Sequence, residues 1–370
     1  MKKGVVSFIL LMGCLMAVLF LSACGVGAVD PNEPWPNDQA KITIHGLTEE
    51  DFDITLAELK QLKTVTKHAE APRSNGDIVK VDATGPLLDT FLEQYGKTQK
   101  DFSRIRFTAR DQYSIAVSAE VLGTRQVILA HQDKGLPLED EFEPVRVIIP
   151  EERAMYWVRN LVRIDFETGG DVKNPNRVVF LDSAADQLPQ VDYEYYGSMD
   201  KTIQVNDLID NYTVASDATV INVFLKASDG LQKNETKENF LSGFLKVTGQ
   251  DAPKFIAEQL PEGMHTRDII YIIYGETAIF NYATAATCLP LKTEGEYEGL
   301  AFTEIFKQTG LKGGNSYKFI NTTGESMTLT LNDLGSGGLI YQNEQGVLSF
   351  GCTGKTGWRN IDNLLSVEVL

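Results

Sequence analysis

The chain has 370 residues, 43% of them hydrophobic, and a formal net charge of −17 at pH 7. That length suffices for about two domains with cores of their own, and the acidic balance makes nucleic acid and anionic lipid poor partners for the surface. Four cysteines and four histidines show no CxxC and no HxxxH spacing, so a zinc or haem-attachment motif has no support.

Lys2 and Lys3 precede an apolar run over 4–21, the charged start and apolar middle of a secretory signal. Leu21-Ser22-Ala23-Cys24 then matches the bacterial lipobox, in which a peptidase cuts before a cysteine that carries diacylglycerol. This predicts a lipoprotein signal peptide over 1–23 and a lipidated Cys24 as the mature N-terminus. The alternative is an uncleaved anchor helix, since about 18 apolar residues just span a bilayer. Either way the protein is held at the cell membrane and faces outside the cytoplasm. Two or three acyl chains make such an anchor essentially permanent. Residues 24–39 contain Pro31, Pro34 and Pro36 and form an extended tether. Loss of 1–23 removes two lysines and no acid, taking the net charge from −17 to −19.

From residue 41 strands and helices alternate. "KITIH" at 41–45 is a strand, and "TLAELKQL" at 55–62 opens with a capping box, Thr55 three residues before Glu58. "TVTKHA" at 64–69 and "IVKVDA" at 78–83 are strands around the polar turn "APRSNGD". "GPLLDTFLEQYG" at 85–96 predicts a helix with Pro86 at its first position and Gly96 as its stop. Strands follow at 104–109, 113–117, 126–131, 145–150 and 157–166. Short connections and the excess of strands predict an α+β fold with mostly antiparallel or mixed sheets and few helices.

An internal echo divides the chain. "GPLLDTFLEQYG" at 85–96 and "GLAFTEIFKQTG" at 299–310 both run twelve residues between glycines, with Gln94 matching Gln308. "RIRFTARDQYSIAV" is matched by "YKFINTTGESMTLTL", and "WVRNLVRIDF" by "WRNIDNLLSVEVL" at the end. A third helix-then-strand passage, "VNDLIDNY" followed by "TVINVFLKASDG", lies between them. These matches predict a first domain over 40–166, a linker over 167–176 and a related, diverged unit over 177–370.

The series "ITIHGL…TLAELKQL…TGPLLDTFLEQYG…RIRFTARDQYSIAV…VILAHQDKGLPL…PVRVIIP…YWVRNLVRIDF" resembles the oxidoreductase molybdopterin-binding domain, the fold of the sulfite oxidase family. The resemblance covers 41–166, is most specific over "GLPL…VRVIIP…WVRNL", and is closest to lipid-anchored bacterial representatives. It implies a molybdenum pterin whose metal is completed by a protein cysteine just before the long helix. Here that stretch, 66–85, holds no cysteine, and neither His68 nor Ser74 reproduces a thiolate's donation. Cys288, eleven residues before Gly299, stands near the family's spacing and is the one candidate metal ligand. Cys288 and Cys352 are also a candidate disulfide in an oxidising compartment, with two inert thiols as the alternative.

On the resemblance, His68, Arg73, Arg106 and Arg110 fall near the cleft edge, where guanidinium forks suit a phosphate, sulfonate or carboxylate; solvated surface charge is the other reading. "VDYEYYGSMD" at 191–200 either stacks on a ligand or packs as an edge strand. Gly354-Lys355-Thr356 lacks the rest of a phosphate loop, and "LGSGG" lacks the glycine two before Ser336 that a nucleophile elbow needs. The reading is a membrane-anchored lipoprotein with a molybdopterin-oxidoreductase-like domain that acts as a binding or interaction module, with no cofactor expected. Its partners are the membrane, through the lipid, and a small anion or a redox protein. The alternatives are a cell-surface molybdopterin-dependent oxidoreductase and a structural partner of a membrane redox complex.

Overall fold

The computed structural model describes residues 37–370 apart from 74–75, 169–173, 196, 214–219, 335–336 and 355–356, so Cys24, Ser74, Ser336, Lys355 and Thr356 lie outside the described residues. The chain enters through β1 (Lys41–His45), paired antiparallel with β2 (Phe52–Thr55). Helix α1 (Leu56–Gln61) follows directly. The Thr55 hydroxyl accepts from the Glu58 amide at 3.2 Å and the Glu58 carboxylate accepts from the Thr55 amide at 2.7 Å, the reciprocal cap the sequence predicts. A long hairpin, β3 (Thr64–Pro72) and β4 (Ile78–Pro86), runs into α2 (Leu88–Leu92). Pro86 is the last residue of that strand and not the first of the helix, because Leu87 is still extended at ψ 147°. A second hairpin, β5 (Arg104–Ala109) and β6 (Ser114–Ser118), leads through α3 (Ala119–Thr124) to β7 (Ile128–Ala130). The short β8 (Gln132–Asp133) and β9 (Leu136–Pro137), then β10 (Arg146–Ile148) and β11 (Leu161–Glu167), complete this part.

The same order then recurs twice inside 177–370. The first recurrence is β12 (Arg177–Phe180), α4 (Leu181–Ala185), β13 (Val191–Tyr195), β14 (Ser198–Gln204), α5 (Val205–Tyr212), β15 (Asn222–Ala227), β16 (Gln232–Thr236), α6 (Lys237–Leu241), β17 (Phe244–Lys246), β18 (Lys254–Ile256) and β19 (Ile269–Tyr274). The second is β20 (Thr277–Phe280), α7 (Tyr282–Cys288), β21 (Leu291–Glu294), β22 (Tyr297–Ala301), α8 (Phe302–Thr309), β23 (Ser316–Asn321), β24 (Ser326–Thr330), α9 (Leu331–Leu334), β25 (Leu339–Gln342), β26 (Leu348–Gly354), β27 (Gly357–Asp362) and β28 (Leu364–Val369).

Pairing repeats along with order. The closing strand lies antiparallel to the first strand of the middle hairpin in all three series: β11 on β5, β19 on β15, β28 on β23. Each closing strand is entered through a left-handed Asn or Asp, at Asn160, Asp268 and Asn363 with φ of 48°, 49° and 56°. These two residue types accept that conformation at low cost. Gly85 and Gly299, the openings of the two echoed segments, are equivalent in space as well. A Cβ at either would stand 2.1 Å from a carbonyl oxygen of the neighbouring strand, Leu129 in one case and Ile340 in the other. Only glycine lets the strands approach this closely.

The first series builds a five-stranded sheet, β2-β1-β11-β5-β6, over an apolar cluster drawn wholly from residues between Ile42 and Phe166. The later two share an eight-stranded sheet, β16-β15-β19-β20-β12-β28-β23-β24, with their opening strands β12 and β20 parallel at its centre. One face carries Val179, Ile272 and Ile279 against Leu208, Phe240 and Phe255. The other carries Val178, Phe180 and Ala278 against Phe302, Phe319 and Phe350. A strand covered on both faces needs apolar residues at every position, which is why "IIYIIY" and "TAIF" do not alternate. The architecture is α+β, mostly strands with few helices, as the sequence predicts.

Candidate functional site

The four side chains predicted to share a cleft do not gather. His68 projects from β3 opposite Asp82, its Nδ1 2.7 Å from the Asp82 carboxylate and its Nε2 3.3 Å from Glu70, with Lys80 also on Glu70. The hydrogen bond to Asp82, then that to Glu70, raises the imidazole pKa above its ordinary value. This is an exposed strand-face charge network with an acidic surround, the opposite of an anion site.

Arg106 is buried and lines a different cavity, of about 700 Å³, together with Arg163, Asp165, Glu167 and Asn222. Its guanidinium lies 3.4 Å from Glu167, donates to the Asn234 carbonyl at 3.2 Å and reaches the Asn222 side chain at 2.5 Å. Asn222 and Asn234 sit on the antiparallel pair β15–β16 of the second series, so this arginine ties the first two series together. Arg110 is also buried, and its backbone amide donates to the Asn160 carbonyl. Of the four, only Arg73 borders a cavity that holds another unengaged cation.

That cavity has a volume of about 350 Å³ and is lined by three arginines, Arg73, Arg146 and Arg159, one carboxylate, Asp111, and the rings of Phe142 and Trp157, with Pro261 and Gly263 of the second series also on its wall. Arg146 lies on β10 opposite Ala130 and is 8% exposed. Its guanidinium stands 4.4 Å from the centre of the Phe142 ring and 5.6 Å from that of Trp157. Trp157 is fixed in turn by donating its indole N–H to the Ile149 carbonyl at 2.8 Å. The Arg146 Nε is buried without a hydrogen-bond partner, and no described carboxylate comes within ion-pair distance of the side chain. Burial lowers its pKa, with Arg73 and Arg159 acting the same way and Asp133 and Glu141 opposing, yet a guanidinium stays charged in proteins. Asp133 and Glu141 act on it only from beyond ion-pair distance, which leaves a buried Nε–H donor unsatisfied beside a cavity, the arrangement of a candidate binding position.

Arg146 is not among the residues the sequence singles out, although "VRVIIP" lies within the most specific part of the resemblance. The available signal was a lone arginine inside a wholly apolar strand, since arginine is almost never buried unless paired.

The cysteines are free thiols, so the candidate disulfide does not form: Cys288 is exposed at the end of α7, and Cys352 is fully buried in β26. The third series has a short hairpin, β21–β22, so eleven residues back from Gly299 fall on the preceding helix and not on the hairpin. Among the described residues no group of three or more His, Cys, Asp or Glu side chains is placed to hold a metal, so Cys288 has no co-ligands there. The tyrosine-rich segment forms the β13–β14 hairpin, with Tyr193 packed 5.5 Å from Phe244.

Residues 30–173 match the family model of the oxidoreductase molybdopterin binding domain. Among solved structures the chain is similar to the sulfane dehydrogenase SoxCD from Paracoccus pantotrophus, at 12% identity over 91% of this chain and 80% of that chain, with a TM-score of 0.34. The comparison with curated proteins finds no match.

The cofactor named by the family can be tested against the side chains of this molybdopterin-binding-type domain. The orphaned Arg146 Nε between two aromatic rings fits a flat, anionic group. The metal centre does not fit: the hairpin from Thr66 to Gly85 offers His68, already engaged by two carboxylates, and no thiol. The domain's side chains therefore match the anionic part of such a cofactor and not its molybdenum.

Two histidines set an acid limit on the fold. Both ring nitrogens of His131 are buried without partners, and burial, followed by Lys60, lowers its pKa. Burial also lowers that of His265, whose Nε2 lies 3.0 Å from the Ala257 carbonyl oxygen; the carbonyl contact opposes the shift. A depressed histidine gives stability that is complete above its unfolded value of 6.5 and lost as pH falls through the folded value. His68, shifted the other way, is fully exposed and adds little. Urea midpoints are expected to drop between pH 7.5 and pH 5, with a shallower slope in His131→Leu. An unchanged slope in that variant would assign the acid sensitivity elsewhere.

Proposed function

We propose that the protein is an extracytoplasmic lipoprotein, anchored through Cys24, whose molybdopterin-binding-type domain binds a small anion and carries no molybdenum. The observation that carries this reading is the buried Arg146 guanidinium, without an ion pair and with its Nε unpartnered, lining a cavity in a domain with no thiolate. The ligand class is a phosphate, sulfonate or carboxylate on a flat body, with the anion on Arg146 and the flat part on Phe142 and Trp157. Arg73 and Arg159 at the rim supply attraction; Arg159 is already shared with Glu141 at 3.2 Å.

The test is metal analysis of protein taken from the membrane fraction of its native host, followed by melting curves with benzenesulfonate and inorganic phosphate. The expected result is membrane-bound protein with no stoichiometric molybdenum and an anion-dependent rise in melting temperature that is absent in Arg146→Met. That variant removes an unpaired buried charge and keeps the side-chain volume, so it should fold at least as well as the parent. One molybdenum per chain would replace this reading with that of a cell-surface oxidoreductase. An anion shift that survives in Arg146→Met would move the site elsewhere.

A further inference from the structure

The cavity of about 700 Å³ beside Arg106 has the size of a small-molecule site. It lies on the face of the first sheet that does not carry the core, since Arg106 and Thr108 alternate along β5 with Ile105 and Phe107. The second series supplies its other side with Ile221, Thr236, Asn239 and Gln259. Its charges are spent on one another. Arg106 stands 3.4 Å from Glu167, Arg163 donates twice to one oxygen of Asp165, at 2.6 and 2.8 Å, and His45 lies 2.6 Å from Asp51. That leaves the exposed Glu238 as the one lining charge without an ion pair among the described residues, so the wall has little net charge with which to recruit an ion.

What the wall keeps in reserve is hydrogen-bonding capacity of both kinds. Asn239 and Gln259 commit their amide nitrogens to Glu235 and Ser242 and retain their carbonyl oxygens, and the Asp165 Oδ2 has no partner among the described residues. Donors remain on the Arg163 Nη1 and on the Thr236 hydroxyl, whose oxygen accepts from the Asn239 backbone amide at 3.2 Å. The Gln112 side-chain amide offers both and has no partner among the described residues. These groups come from β11, the β5–β6 turn, β16, α6 and the segment after β18, so they surround the cavity rather than run along it. Gln112 stands at φ 69°, a left-handed conformation that glycine or asparagine adopts at lower cost. A strained residue with an unused amide on the wall of a cavity points to a role outside the fold.

We propose that this cavity binds a neutral saccharide through its hydroxyl groups, with Ile221 and Leu260 against the C–H face of a ring. A hydroxyl donates one hydrogen bond and accepts others, so a ring bearing several of them satisfies a wall of interspersed donors and acceptors, whereas a simple cation or anion would leave one kind unmet. Ile221, 52% exposed, supplies the apolar contact. The site shares no described lining residue with the Arg146 cavity and does not depend on what that cavity holds.

Isothermal titration with maltotriose, cellotriose and chitotriose tests it on the folded chain. Saturable binding of at least one is expected, with an affinity that does not change with ionic strength because the ligand has no charge to screen. Gln112→Gly/Gln259→Ala should weaken that sugar about tenfold or more through the loss of two side-chain contacts. The same variant should melt no lower than the parent, since glycine relieves the left-handed backbone at 112. Gln61→Ala, which removes an exposed carboxamide of α1 outside the cavity, should bind as the parent does. No saturable binding of any of the three sugars would overturn the assignment, as would an affinity that survives Gln112→Gly/Gln259→Ala. Saturable binding of trialanine in place of the sugars would overturn it too, by making the cavity a peptide site.

Discussion

Glu167→Ala is expected to destabilise the protein by about 3–5 kcal/mol, the usual cost of removing one partner from a buried charge cluster. The Glu167 carboxylate serves two buried guanidiniums at once, accepting from Arg104 Nε at 3.0 Å and lying 3.4 Å from Arg106 Nε, with the Asn222 amide also donating to it at 2.7 Å. The side chains of Arg104 and Arg106 are 5% and 6% exposed. Without the carboxylate, two cations remain inside the contact between the first and second series. Glu167→Gln keeps the shape and some hydrogen bonds and should cost less. Urea unfolding followed by circular dichroism reads both variants. A loss under about 1 kcal/mol for Glu167→Ala, the range of exposed pairs, would mean that water reaches this cluster.

Gly85→Ala and Gly299→Ala are each expected to cost about 3 kcal/mol or more, at the upper end of what overpacking imposes. In both, the new methyl group would meet the backbone of the adjacent strand, which cannot yield as a side-chain tip can. The contact would separate β4 from β7 in the first case and β22 from β25 in the second. Gly123 in α3 is the control: nothing lies within 4 Å of its Cβ position, so Gly123→Ala should gain about 0.5–1 kcal/mol from helix preference alone. Melting temperatures of the three variants decide the matter. A tolerated alanine at Gly299 beside an intolerant Gly85 would break the equivalence of the two echoed segments.

The equivalence itself was partly visible in the sequence. The twelve-residue spacing between glycines at 85–96 and 299–310 reflects two local demands, close strand approach at the first glycine and a left-handed helix stop at the second, with φ of 65° at Gly96 and 67° at Gly310. The second series was seen only as a faint echo because it keeps the order of elements without those glycines; Thr202 pairs with Lys246 in the register where Gly299 would fall. Local capping was equally legible, since Thr55 and Glu58 complete their box with neighbours three residues apart.

The site was less legible, for a different reason. Arginine at 106 and arginine at 146 look alike in a strand pattern, and their fates depend on what comes from far along the chain. Asn222 and Asn234 arrive over Arg106 and consume its donors, whereas Pro261 and Gly263 border the cavity beside Arg146 and bring it no charge.

The sequence by itself determined the alternation of strands and helices in the first domain, the match of residues 30–173 to the molybdopterin-binding family model and the absence of a thiol between Thr66 and Gly85, because each rests on short-range pattern or residue identity. The tertiary structure alone decided which charges are compensated, because a buried guanidinium's partner is set by packing between segments more than a hundred residues apart.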